Sequence, residues 1–269
     1  MDTKETFKIS NLLTVVASLG LLVSSLAGII ALQYPAISNK QKTLSWAEYQ
    51  TQEAQDKLSL RVLNKIPTLG FSNLIADWLY LNFIQYFGDT KVREEVGYSL
   101  TNDYFNFIVN KDPLFVDALY HLDIATSLFA GLPKMSVNNL TKALNTMPPK
   151  FITNIEPYYL WRAKGNDELL FLGDINATKT SYQKSLDWAK YYNTEDARKM
   201  IGINQQSLQF LSHNPDSKQA QIGAWASVLA NRPDQKTIKR VIEKIEQLGG
   251  QVTFMPDGKI TVSLSGSQD

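Results

Sequence analysis

From Leu12 to Leu32 the chain reads LLTVVASLGLLVSSLAGIIAL, and no charged residue falls between Lys8 and Lys40. At ~1.5 Å of rise per residue, a helix of that length reaches the roughly 30 Å of a bilayer's hydrocarbon core. The run predicts a transmembrane anchor over residues 11–33, after an N-terminal tail (1–10) and before a polar tether (34–44). It is longer than the ~7–15-residue apolar core of a cleaved leader. Its small-residue pair, Ser25 and Ala27, lies inside the run rather than after it. Retention is therefore expected over cleavage. Lys4 and Lys8 before the run are balanced by Lys40 and Lys42 after it, so flanking charge gives no orientation. A short tail ahead of a long domain favours an extracytoplasmic domain. Gly20, Ser24 and Gly28 stand four apart on one helix face. Small residues there let a second helix approach closely, whether from another copy or another membrane subunit.

Composition narrows the remaining classes. Lys+Arg is 27 against Asp+Glu 26, a balance that argues against a dedicated nucleic-acid binder. Without a single Cys, there is no disulfide framework, thiolate metal site or cysteine nucleophile.

The chain past residue 44 reads as helices. Ser45 to Asn64 carries Ala54, Leu58 and Val62 four apart as an apolar stripe, with Ser45 placed to cap it and Pro67 to end it. Asn73 to Phe87 follows Ser72 as a second cap and is apolar or aromatic on nearly every face. At about 15 residues it is too short to span, so it is predicted to be buried between neighbours or to lie against lipid. Lys91–Asn110, Phe115–Phe129, Met135–Thr146, Glu156–Leu172, Ala177–Tyr192, Thr194–Ser212, Ala220–Asn231 and Gln235–Leu248 complete the series. The period then changes to two. Val252 and Phe254 face Ile260, Val262 and Leu264 across Pro256-Asp257-Gly258, which predicts a β-hairpin in the tail, 249–269.

Two segments, TNDYFNFIVNKDP and SVNNLTKALNTMP, align on Pro113 and Pro148, 35 positions apart. Phe105 and Leu140 precede those prolines by eight, and Ile108 and Ala143 by five. A period near 34 with helix–turn–helix content resembles tetratricopeptide repeats. In LGDINATKTSYQKSLDWA, Gly173-Asp174 is similar to that family's turn between paired helices. Tyr182 matches its helix-B aromatic and Ser185 its small position. No unit carries the full Trp-Leu-Gly-Tyr set. The resemblance spans about residues 73–190 and implies an all-α stack of helix pairs over 45–248. An unrelated helical bundle is the alternative. It also implies a concave surface that holds another protein. The anchored layout is similar to membrane-tethered repeat proteins of bacteria, some of which assist assembly of photosynthetic membrane complexes. A single-pass protein of a bacterial inner or thylakoid membrane is the corresponding expectation, with a membrane complex or its assembly intermediate as partner.

No GxSxG, SxxK, P-loop or GxGxxG pattern occurs, and no catalytic, cofactor or metal role is assigned to any residue. His121 and His213 are isolated, and Asp123 does not share a helix face with His121. Asp77 lies four after Asn73 in the aromatic helix, where it is either a structural acid bonded to a neighbouring helix or a proton-active or partner-binding one. Asp77, Trp78, Tyr80, Tyr86, Trp161 and Arg162 are the candidate protein-binding residues. The expected function is a non-catalytic scaffold or assembly factor. A permanent accessory subunit is one alternative, and an enzyme with a site near Asp77 and Asp123 is another. Lys236 to Lys244 is basic on one side and reads as a solvated face.

Overall fold

The computed structural model describes residues 16–31, 33–34, 45–231, 233–255 and 260–264. Contacts divide the chain into two units, Met1–Ser45 and Trp46–Asp269.

In the first unit residues 16–31 form a helix whose side chains are all exposed. The predicted anchor is corrected here. Among the described residues no helix is long and apolar enough to cross a membrane. At ~1.5 Å per residue the 16–31 segment is about 24 Å long, short of the roughly 30 Å required. Residues 12–15 and 32 of the apolar run lie outside the described residues, as do the tail and residues 35–44 of the tether. The single-pass membrane localisation rested on the same span and is withdrawn with it.

The second unit is helical up to its C-terminal hairpin. Its elements are α1 (Trp46–Lys65), α2 (Ser72–Gly88), α3 (Thr90–Val96), α4 (Thr101–Lys111) and α5 (Val116–Leu119), then a π-helical segment, Ile124–Phe129. α6 (Pro133–Leu144), α7 (Tyr158–Leu170), α8 (Ile175–Ala189), α9 (Glu195–Leu211), α10 (Lys218–Ala230) and α11 (Gln235–Gln247) follow. β1 (Gly250–Phe254) and β2 (Ile260–Leu264) pair antiparallel with Val252 opposite Val262 and Phe254 opposite Ile260.

Local chemistry sets many of these boundaries. Pro133 occupies the first turn of α6, where its missing N–H is no loss. Asp174, Thr194 and Asp234 cap α8, α9 and α11 by accepting backbone N–H groups of the first turn. Ser72 does not cap α2. It lies within the helix, and its hydroxyl donates to Thr68 Oγ1 at 3.0 Å.

Two predicted helices are broken. Lys91–Asn110 divides at Gly97, whose φ of 76° and ψ of −160° suit glycine alone. Phe115–Phe129 becomes the single turn of α5 and then the wide π turn, closed by Ala130 N–H donating to the Ala125 carbonyl at 3.1 Å.

The largest core joins α2, α4, α5, α6 and α7 through residues such as Leu79, Phe83, Phe105, Ile108, Leu122, Leu140 and Leu160. Neighbouring helices pair in sequence from α6 to α9. The last helices do not continue that order. α10 packs on the π segment and on α7, and Ile222, Trp225, Val228, Val241 and Ile245 form a second core there with Leu128 and Phe171. Asn231 Nδ2 donates to the Leu128 carbonyl at 3.2 Å. Arg240 Nη1 donates to the Ala130 and Gly131 carbonyls, each at 3.2 Å. Residues more than a hundred positions downstream thus satisfy carbonyls that the π turn leaves open. Arg240, expected on a solvated face, is one of these clamps.

Candidate functional site

α2 has two apolar faces. Ala76, Leu79, Phe83 and Tyr86 recur at helical spacing and are buried in the main core. On the opposite side Leu74, Asp77, Trp78, Leu81 and Ile84 are exposed. Leu74 is 64% exposed, Trp78 46% and Leu81 58%. The helix is therefore buried on one side only. The turn before it adds Leu69, 85% exposed, and Phe71, 66% exposed. A solvated apolar surface of this kind is unusual on a monomer, and such patches mark contact sites.

The same inversion occurs in α1. The predicted stripe of Ala54, Leu58 and Val62 faces outward, while Tyr49 and Leu60 are the buried positions. Polar contacts select that orientation. Glu53 Oε1 accepts the Ser99 hydroxyl at 2.6 Å. Asp56 is pulled partly inside, where burial raises its pKa and Arg93 lowers it.

The six predicted contact residues separate into two groups. Asp77 and Trp78 are on the exposed α2 face. Tyr80 is half-buried. Its hydroxyl lies 3.0 Å from His121 Nδ1, which is also 3.0 Å from the Asp117 carbonyl, and its ring meets Phe115 edge-on at 5.4 Å. The other three hold the fold. Tyr86 is buried, accepts the Leu100 N–H at 3.1 Å and lies under the Arg93 guanidinium, 3.8 Å from its ring centroid. Burial pushes its hydroxyl pKa upward, with Arg93 opposing. Trp161 is buried edge-on to Trp188, with centroids 5.7 Å apart. Arg162 bridges α7 to α9 through Asn204 Oδ1 at 2.9 Å and Ser207 Oγ at 3.1 Å, and stacks 3.8 Å from the Tyr182 ring.

Gly20, Ser24 and Gly28 are exposed on the helix of the first unit. Beyond the adjacent residues and the helix's own backbone, no described atom lies within 4 Å of where a Cβ would stand at either glycine, and Ser24 Oγ donates back to the Leu21 carbonyl at 3.0 Å. Their packing role was read within a bilayer span and is withdrawn with that span.

A buried polar cluster was not foreseen. Asp167 on α7 is 3% exposed, and its Oδ2 accepts the Ser127 hydroxyl of the π segment at 2.7 Å. Burial pushes its pKa up to about 8. The Ser136 and Ser127 hydroxyls pull the other way, and Asp123 and Glu168 add to the rise. Asp123 is itself raised to about 6, chiefly by burial. Glu168 pairs with Lys164, and the Ser181 hydroxyl donates to its Oε2 at 2.6 Å. These bonds tie α7 to the π segment and to α8.

Open depressions lie elsewhere. One of about 560 Å³ includes Lys179, Lys184, Asp187 and Ser212, and another of about 530 Å³ includes Gly173, Asp174 and Asn214. Neither contains Asp77, Asp123 or Asp167. Among the described residues no three His, Cys, Asp or Glu side chains converge as a metal site. Comparison with protein-family models, curated proteins and solved structures returned no match.

Proposed function

We propose that this chain is a non-catalytic protein-binding scaffold, built from divergent tetratricopeptide-like helix pairs, that engages a partner through the outer face of α2. The observation that carries this reading is the bare row Leu74, Trp78, Leu81 and Ile84, opposite a buried row on the same helix. Burial of such a row against a partner contributes roughly 25 cal/mol for each Å² of apolar surface removed from water. Trp78 is the natural anchor, since exposed tryptophans surrounded by smaller apolar groups dominate contact energies.

The repeat resemblance is supported at the α7–α8 pair. Gly173 turns at φ 68° and Asp174 caps the next helix. Tyr182 packs against Gly165, where an added Cβ would stand 2.5 Å from Tyr182 Cε1. Ser185 is buried and donates to the Tyr158 carbonyl at 2.9 Å. The main core, which takes up Leu79, Phe83 and Tyr86, gives α2 a rigid support, as an interaction face requires.

The test is native co-purification with the full chain. Wild type is expected to retain a protein that the double variant Trp78→Ala, Leu81→Asp loses, with an unchanged melting temperature. Recovery of the same proteins by both chains, or of none by wild type, would contradict the reading.

A further inference from the structure

The second half of α1 carries two parallel rows. Leu58 and Val62, followed by Ile66 just beyond the helix, are 62%, 54% and 46% exposed. One position ahead of each stand Lys57, Arg61 and Lys65, all exposed. Both rows repeat every four residues, so they run side by side along the same surface.

The charges on this helix are sorted by direction. Beyond the exposed Glu48 of the first turn, its acids turn inward: Glu53 accepts Ser99, and Asp56 lies in the field of Arg93. Its cations turn outward. Lys57 has a loose pairing with Asp103 at 3.9 Å. Arg61 and Lys65 have no ion-pair partner among the described residues. The exposed surface is therefore apolar along one line and cationic along the next.

We propose that this face of α1 seats an acidic amphipathic helix of the partner protein. Leu58, Val62 and Ile66 take its apolar row, while Arg61 and Lys65, assisted by Lys57, take its carboxylates. The inference rests on the protein-binding reading above and names the chemistry of the partner. Helix-in-groove recognition uses this pairing of apolar anchors at i and i+4 with flanking charge. Complementary charge then sets register and excludes cationic helices. An anionic lipid surface is the competing occupant of a cationic, apolar face. Asp103 disfavours it, because its part-exposed carboxylate lies 3.9 Å from Lys57 at the edge of this cationic row. A carboxylate there repels anionic headgroups, whereas a protein can present a donor to it.

The experiment uses the full chain and two fluorescent 20-residue peptides with one leucine pattern, flanked by Glu in one and Lys in the other. Anisotropy at about 0.15 M salt is expected to give at least tenfold tighter binding of the Glu peptide. Arg61→Glu with Lys65→Glu should reverse that preference, and Leu58→Asp should weaken both. Trp78→Ala should leave the preference intact. Loss of the native partner by the α2 variants, with the peptide preference unchanged, would separate this claim from the previous one. Equal binding of the two peptides would overturn it, as would a charge reversal without effect. So would phosphatidylglycerol vesicles binding the chain more tightly than the Glu peptide.

Discussion

Asp77 and Asp167 show what a residue's neighbours in sequence can and cannot say. Asp77 sits in a greasy helix, where a structural and a partner-binding acid both fit the local pattern, and it is exposed. Asp167 sits in the polar string GNDELL and is buried, because its cover comes from Ser127, 40 positions earlier. Local composition could not carry that non-local contact. The carboxyl has a testable consequence. Its folded pKa, about 8, lies above the ordinary 3.8, so the folded state holds a proton that the unfolded state releases from about pH 4 upward. This contribution is fully present below pH 4 and is lost as pH rises to 8. The slope is at most about 1.4 kcal/mol per pH unit for one proton. Asp123 adds the same sign over a narrower window, from its ordinary 3.8 to about 6. Asp167→Asn keeps an acceptor for Ser127 and removes the proton. Denaturant unfolding between pH 5 and 8 should show a falling stability in wild type and a flattened profile above pH 6 in the variant.

At the scale of elements, Pro, Gly and capping residues made most helices legible. Thr194, Asp174 and Pro133 fall where the structure begins a helix, and the change to period two at Val252 falls within β1. The misses have a shared physical cause. In α1 two faces competed, and the purely apolar stripe lost to one that pairs Tyr49 and Leu60 with polar contacts to Arg93 of α3 and to Ser99 in the turn after it. The break at Gly97 was hidden because a single glycine inside a helical pattern is usually tolerated. Its reason lies far along the chain. A Cβ at this position would collide with the Asp234 carboxylate, which caps α11. Gly97→Ala therefore combines backbone strain with a displaced cap. It should destabilise the fold by about 2–4 kcal/mol in denaturant unfolding. An effect below about 0.5 kcal/mol would mean that the turn relaxes freely.

Across the whole molecule, the helix pairs from α6 to α9 follow chain order, whereas α10 and α11 return to the π segment and lock it. That return was invisible in the sequence, because Asn231 and Arg240 carry no pattern that points to carbonyls of residues 128–131. The apolar content of α2 was legible, but which of its two faces would be covered was not. Its uncovered face, with Trp78 at the centre, is the surface that partner binding requires. A photo-reactive amino acid placed at position 78, irradiated in living cells, measures contact there directly. Position 199, on an exposed side of α9, serves as the control. One discrete protein adduct is expected from position 78 and none from position 199. Absence of an adduct at 78, or the same adducts at both positions, would contradict partner binding through this face.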